Sequence, residues 1–593
     1  MAVAPQPDGR DSIQGEGRGK PDPILLSLFA NRFMSIAEAM GRALEQTSIS
    51  TNIKERLDFS CAIFAPNGDL IANAPHLPVH LGSMSFAVRY QIELLKDDLH
   101  EGDVLLTNHP VAGGSHLPDI TCITPVFKDG QIVFFTASRG HHADIGGILP
   151  GSMPPSSKTI FEEGAQIVSF KVVSKGNYQR DELHRLLVEK PSQYEGCSGS
   201  RCWSDVESDL KAQIAANNKG VALINLLNAE YGLDTVVQYM GYIRDNAEFA
   251  VRNLLRQVAR ERGRELEALD HLDDGTPIRL KVAIDEEKGS AVFDFEGTGP
   301  EIHGNLNAPV SVTYSAIIYC LRAMVDQDIP LNHGCLVPIE VKLPAKSCLS
   351  PSSTAAVVGG NVCTSQRVTD VVLKAFRAAA ASQGCCNNLT FGSGGKDVNG
   401  EAVQGYGYYE TICGGSGAGP TWEGTSSIHT HMTNTRITDP EVLERRYPTI
   451  LHQFSIRKGS GGKGQHNGGN GVIREIEFLE PIQCSILSER RVYQPYGLED
   501  GGSGSCGRNL WVKKARQADA DWEEGKENPP RIINLGGKAT VKMGAGDRIV
   551  IETPGGGGWG QEGEEKRLKE RGEHGRHDPR GSHFERVSAQ EGV

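Results

Sequence analysis

The chain has 593 residues and a net charge of −13, which excludes nucleic acid as its main partner, because phosphate binding needs a clustered basic surface. With 38% hydrophobic and 23% charged residues it is a globular protein of several domains, at roughly 150 residues each. No run of about 18 apolar residues reads as a membrane span, and the polar N-terminus lacks an apolar signal core, so a cytoplasmic location is expected.

In chain order, residues 1–21 are polar and glycine-rich and are expected to be a disordered tail. A helix is predicted from Pro23 to Gln46, because Leu26, Phe29, Phe33, Ile36 and Met40 recur at helical spacing. A hairpin follows, Leu57–Phe64 and Leu70–Ala74, joined by Pro66-Asn67-Gly68-Asp69. Strands are expected at Val104–Thr107, Thr121–Phe127 and Gln131–Ser138, the last two joined at Lys128-Asp129-Gly130. Residues 205–265 contain no proline and read as helices. The sequence then changes near Asp270–Thr276 to alternating strand patterns, Ile278–Ile284 and Ser290–Phe295. A helix from Ser365 to Ala381 precedes β and glycine-rich sequence up to Ile551, and residues 561–593 are expected to be a disordered charged tail.

The fold class is therefore α+β and multi-domain. Residues 22–268 form an N-terminal region of helices and hairpins, and residues 269–560 a β- and glycine-rich C-terminal region. The 13 cysteines scatter from Cys61 to Cys506 without a CxxC pair, and are expected to be buried, reduced thiols.

The densest chemistry lies between Asn108 and Gly151. His116 and Asp119 sit three apart in a loop that Gly113 and Gly114 can tighten. The hairpin between Thr121 and Ser138 returns the chain so that His141 lies close to His116. Two imidazoles and one carboxylate make a divalent-metal site, suited to zinc, manganese or iron(II) without choosing among them. His142 and Asp144 are then the candidate catalytic residues, as proton carriers beside the metal. The alternative is that these groups cap loops and satisfy backbone donors.

A second segment holds His429, His431 and Arg436. If it is a strand, the two histidines share a face, and with Arg436 for a carboxylate they are candidate substrate-binding residues. His76 and His80 are further candidates. Gly459–Gly464 matches GxGxxG, but more glycines stand where a helix should begin, and no GxxxxGK[ST] occurs, so no nucleotide site is assigned. Gly555–Gly558 reads as a tight turn or a backbone-lined contact.

Several segments closely resemble the hydantoinase B/oxoprolinase family: Ser50–Ser60, Ala74–Met84, Gly113–Asp119, Ser138–Gly147, Gly304–Pro309, Val358–Val362, Thr364–Arg367, His429–Pro440, Leu487–Arg491 and Thr553–Gly558. The resemblance covers residues 22–560. Within the family, Asn108-His109-Pro110 is similar to the eukaryotic-type, ATP-dependent 5-oxoprolinases. That likeness implies hydrolysis of 5-oxo-L-proline to L-glutamate in the glutathione cycle. A hydantoinase A-type half would bind ATP with magnesium and phosphorylate the amide oxygen, and the B-type half would complete the reaction. Related acetone carboxylases hold a metal through a His-x-x-Asp pair and a downstream His, which by motif position fall on His116, Asp119 and His141. The A-type half is absent from this sequence. The expected partners are therefore an A-type subunit or domain and 5-oxoproline, in an oligomer. Two alternatives stay open: a hydantoinase or acetone-carboxylase-type subunit, and a non-catalytic assembly subunit.

Overall fold

A computed structural model of the chain describes residues 21–326, 329–396, 402–517 and 528–563. Apart from residues 21 and 561–563, the two tails placed at 1–21 and 561–593 lie outside these ranges. The described residues form an α+β architecture of four sheets with helices packed on them.

Helix α1 (Pro23–Thr47) starts where Asp22 accepts from the backbone N–H of Ile24 at 2.8 Å and Pro23 takes the first turn. Its stripe of Phe29, Phe33, Ile36, Met40 and Leu44 is buried, and Phe29 stacks on Tyr239 with ring centroids 4.7 Å apart. By length and composition alone α1 would also suit a membrane, which the sequence pattern did not anticipate; here the apolar stripe fills the core. A short α2 (Thr51–Lys54) follows.

The first sheet comprises β1 (Phe59–Phe64), β2 (Leu70–Asn73), β3 (Val104–Thr107), β4 (Asp119–Lys128), β5 (Gln131–His141), β6 (Phe170–Ser174) and β7 (Asn177–Tyr178), in the order β2-β1-β5-β4-β3-β6-β7. Asp129 and Gly130 at the β4–β5 turn have φ of +51° and +78°, as a type I′ hairpin requires. Pairing runs Lys128↔Gln131 and Phe127↔Ile132, skips one residue, and resumes at Val126↔Phe134 to end at Asp119↔His141. Opposed residues of an antiparallel pair point to the same face. The two strands are longer than predicted, so Asp119 opens β4 and His141 closes β5 instead of lying in flanking loops.

Helix α3 (Pro78–Leu95) packs against this sheet. After the short α4 (Arg180–His184), α5 (Trp203–Tyr231) crosses the sheet's other side. There Gln213 donates to the carbonyls of Ile120 and Ser138, and Asn217 donates to that of Cys122. The predicted helical stretch is split at Gly232, which has φ +81°, before α6 (Leu233–Arg262).

The second sheet is β11-β10-β9-β8, from β8 (Glu265–His271), β9 (Pro277–Asp285), β10 (Ser290–Asp294) and β11 (Ile339–Lys342). Residue 268, where the two regions were divided, lies inside β8. Helices α7 (Val310–Met324) and α8 (Ser365–Ala375) share a core with this sheet. Helix α8 stops six residues before the predicted Ala381, because Arg377 turns left-handed at φ +45° and Ala380 pairs with Ala418 instead.

The C-terminal portion holds two more sheets: β13-β12-β16-β19 and β14-β15-β20-β17-β18. Their strands are β12 (Asn388–Lys396), β13 (Ala402–Glu410), β14 (Thr449–Ile456), β15 (Val472–Phe478), β16 (Ile482–Leu487), β17 (Arg508–Lys513), β18 (Arg531–Asn534), β19 (Lys538–Met543) and β20 (Arg548–Glu552), with a short α9 (Pro440–Arg446) before β14. The glycine run 459–464 leads to no helix; loop and then β15 follow it. Gly555–Gly558 is a backbone-lined contact. A Cβ on Gly556 would stand 1.9 Å from the Ser416 carbonyl oxygen, and Gly556 N–H donates to Gly469 at 2.9 Å. Backbones this close leave no room for a side chain.

Two substitutions test that packing. Gly459→Ala meets nothing within 4 Å and incurs only the left-handed φ of +79°, roughly 1–2 kcal/mol. Gly556→Ala must displace backbone, and is expected to exceed the roughly 3 kcal/mol of ordinary overpacking. Chemical denaturation of both variants checks the order.

Candidate metal centre

The site forms at the open end of the β4–β5 hairpin. The register above sets Asp119 beside His141, and His116 lies just before β4. His116 Nε2 stands 3.0 Å and His141 Nδ1 3.2 Å from the same oxygen, Asp119 Oδ1. One donor atom from each of the three residues can be chosen so that all lie within 4.8 Å of one another, and all three residues are buried.

The second oxygen of Asp119 is held separately. Oδ2 accepts from Ser115 Oγ at 2.6 Å and Asn361 Nδ2 at 3.0 Å, and His80 Nε2 is 3.1 Å away. His80 comes from the first turn of α3, and its Nδ1 is anchored on Ser60 Oγ at 2.9 Å. Asn361 lies in the π-type turn Gly360–Thr364 that leads into α8. Tyr409, on β13, stacks on the His141 ring with centroids 4.2 Å apart. Arg139 donates to Ser83, Ser115, Thr121 and Gly113 and braces the loop beneath.

Burial pushes the Asp119 carboxyl up, but the charges of His116 and His80 and the hydrogen bonds of His116 and His141 outweigh it and hold Asp119 well below the usual carboxylate range. Burial also lowers His116, yet Asp119 and Asp58 hold its ring above the ordinary imidazole value. Burial carries His141 down to about 4 and lowers His80. Asp58, on the cavity wall with His80 and His141, is lifted to about 7 by burial. It is 3% exposed, and its carboxylate takes no hydrogen bond from any described residue.

His116 supplies the test of whether an ion fits. Its Nδ1 faces the Val358 carbonyl oxygen at 3.4 Å and its Nε2 faces Asp119. With acceptors on both sides, the ring must carry two protons when nothing else is bound. A divalent cation replaces the Nε2 proton and leaves the Nδ1 bond intact. His141 Nε2 is buried without a partner, and two imidazoles with one carboxylate are a donor set for zinc, manganese or iron. The residues fit the ion.

The other candidates fall elsewhere. His142 follows His141 and turns to the opposite side, where its Nε2 meets Gln213 Oε1 on α5 at 2.9 Å. Asp144 pairs with Arg201 at 3.0 Å and accepts from Gly146 N–H at 2.8 Å, which clamps the 144–151 loop. Neither lines the cavity around Asp119. The segment of His429 and His431 is an irregular loop, not a strand, and His431 has φ +51°, so the two rings do not share a face. His429 Nε2 meets Thr411 Oγ1 at 2.9 Å, one residue behind the cavity wall. His431 turns to Tyr319 and Asp370, and Arg436 is exposed. His76 Nδ1 accepts from Cys61 N–H, whereas His80 is a full member of the site.

The profile of the hydantoinase B/oxoprolinase family matches residues 22–562. The chain is 57% identical over 553 residues to 5-oxoprolinase 1 of Arabidopsis thaliana, and 55% identical over 550 residues to the 5-oxoprolinase of Saccharomyces cerevisiae. Each match covers 91% of this chain and 42% of the relative. The chain thus spans about two fifths of the length of the curated relatives it matches. Its fold is similar to that of the ATP-dependent caprolactamase from Pseudomonas jessenii, with a TM-score of 0.77, 24% identity and 92% of each chain covered.

Metal analysis of the purified chain is expected to find a bound transition ion that His116→Ala loses and His142→Ala keeps. Equal content in wild type and His116→Ala would sink the ligand assignment.

Proposed function

We propose a function from one premise: the chain belongs to the hydantoinase B/oxoprolinase family. Our reading is the hydantoinase B-type part of an ATP-dependent 5-oxoprolinase, which opens 5-oxo-L-proline to L-glutamate in the glutathione cycle. One observation carries it: a buried His116–Asp119–His141 group in a chain 55–57% identical to proteins named 5-oxoprolinase.

Amide resonance makes a lactam a poor electrophile, and activation of its oxygen by ATP is the part of the chemistry we assign to an A-type partner. The support is length, since the named 5-oxoprolinases are more than twice as long as the portion matched here. His116, Asp119 and His141 would hold a zinc, manganese or iron(II) ion. Such an ion, when bound, lowers the pKa of a water and polarises a carbonyl. The chain's own residues do the rest. His80, Ser115 and Asn361 occupy Asp119 Oδ2 and leave Oδ1 for the ion. Asp58 is the unengaged carboxylate on the cavity wall, available to accept a proton from the attacking water. Leu77, Val79 and Met432 close the cavity with apolar surface, which strengthens every electrostatic contact inside.

A reducing, cytoplasmic setting belongs to this reading and is supported by 13 free cysteines, twelve of them buried. Assembly with the A-type part into an oligomer belongs to it too. Likeness of fold to the caprolactamase, and to an acetone carboxylase at a TM-score of 0.76, favours one second reading, an ATP-dependent subunit acting on another cyclic amide or, as in ketone carboxylation, on a carbonyl.

The test is ADP release by the chain combined with an A-type partner, offered 5-oxoproline, hydantoin, or acetone with bicarbonate. Release is expected with 5-oxoproline and with glutamate as product. Efficient ATP hydrolysis by the lone chain would contradict the division of labour, and preference for another substrate would move the assignment to the second reading. Asp58→Asn is expected to lower turnover by about 100-fold or more with unchanged metal content. Turnover indifferent to both Asp58 and His141 would leave only an assembly role.

A further inference from the structure

We propose that Glu163 is a positioning residue for the ion site, acting through the backbone of Val357 and Val358 on His116 and Asn361. The inference rests on the metal reading above and concerns a residue outside the ligand group.

Glu163 closes the one-turn helix Ile160–Glu163 and is fully buried. Among the described residues no lysine or arginine pairs with it. Its Oε1 accepts from Val357 N–H at 3.0 Å, Val358 N–H at 3.0 Å and Ser157 Oγ at 2.9 Å, and Oε2 accepts from Val357 N–H at 3.2 Å. Two backbone N–H groups and one hydroxyl converge on this one side chain, and an oxygen satisfies them whether or not it is charged. What the side chain grips explains its place.

Val358 carries both ends of the relay. Its N–H is held by Glu163, and its C=O faces His116 Nδ1 at 3.4 Å. That contact keeps the proton on Nδ1 and points the Nε2 lone pair at the position an ion would take beside Asp119 Oδ1. Three residues on, Asn361 donates to Asp119 Oδ2 at 3.0 Å. Between the two contacts, the N–H groups of Gly359 and Gly360 donate to the Asn305 carbonyl at 2.8 and 3.0 Å. The segment 357–361 is therefore clamped at one end by Glu163 and in the middle by Asn305, and it delivers one contact to each of two ligands. Glu163 touches neither His116 nor Asp119, so its effect must pass through this segment.

Three substitutions separate positioning from mere stability. Glu163→Gln keeps an oxygen for all three Oε1 contacts. Glu163→Asp keeps the charge but falls short of both N–H groups. Glu163→Ala removes the grip. Cobalt(II) affinity by chelator competition and the visible cobalt bands are read on chains shown to be folded. The alanine variant is expected to bind cobalt about 10–100-fold more weakly with altered bands, the aspartate variant to move in the same direction, and the glutamine variant to stay close to wild type. If the alanine variant does not fold, the aspartate variant decides. Wild-type affinity and bands in the alanine or aspartate variant would overturn the inference while leaving the metal site standing, as would a glutamine variant as weak as alanine. A wild-type chain that takes up no cobalt, zinc, manganese or iron overturns the metal reading and this inference together.

Discussion

The charge of Asp119 is the constraint around which the centre is built. A carboxylate taken out of water is destabilising by several kcal/mol unless fully partnered, and Asp119 is 1% exposed. Its five partners come from four places: the loop of Ser115 and His116, the end of β5 with His141, the start of α3 with His80, and the π-type turn with Asn361. A shift of any one of these segments removes a partner from a carboxylate held in a dry interior. Burial therefore enforces convergence, and the same convergence leaves one carboxylate oxygen facing two imidazoles, which is a ligand set.

The hairpin shows how far sequence reasoning reaches. Alternating apolar residues and the Lys128-Asp129-Gly130 turn predict two paired strands, and the strands exist. The finer point is register. Pairing leaves the turn as Lys128↔Gln131 and would, if continued unbroken, set Asp119 opposite Gly140. One extra residue at Val133 restores Asp119↔His141. A single bulge thus selects which side chain faces the carboxylate, as one-residue slips do. Nothing in local composition announces it. The nearness of His116, Asp119 and His141 was legible from the motif and the return of the chain, but the extended strands beneath the latter two were not.

The candidates that lie apart from the Asp119 cavity do so for an equally elementary reason. Adjacent residues of an extended chain point to opposite sides, so His141 and His142 cannot both face one ion. His142 goes to Gln213 on α5. The alternation argument for His429 and His431 was sound only for a strand, and left-handed His431 breaks it. Asn361, Asp58, Tyr409 and Glu163 were passed over because their contacts to the site span tens to hundreds of residues, and periodicity carries no such information. One signal was present. Segments Ser50–Ser60, Ala74–Met84 and Val358–Val362 carry the family likeness, and each places at least one residue at this centre.

A second buried cluster shows what the remaining likeness serves. Arg490 pairs with Asp270 at 2.8 Å and Asp370 at 2.9 Å, and Arg367 with Asp270 at 3.1 Å and Glu489 at 3.3 Å. These ions tie the end of β8, helix α8 and the loop after β16 together. Replacing such a network with apolar residues is often neutral or stabilising elsewhere, so net stability is a weak reason for its presence. Orientation is a stronger one. Asp370 also faces His431 at 3.5 Å, and the next two residues, Met432 and Thr433, form part of the wall over the ion site. Through Asp370 the network reaches His431, at the start of the loop segment that closes the cavity. The glycine-rich backbones beside it work alike, since Gly556 admits Ser416 only where no side chain intervenes. The C-terminal half thus contributes Asn361 to Asp119, Tyr409 to His141 and Met432 to the wall. Those contacts cover the His116–Asp119–His141 group on the first sheet and keep it buried.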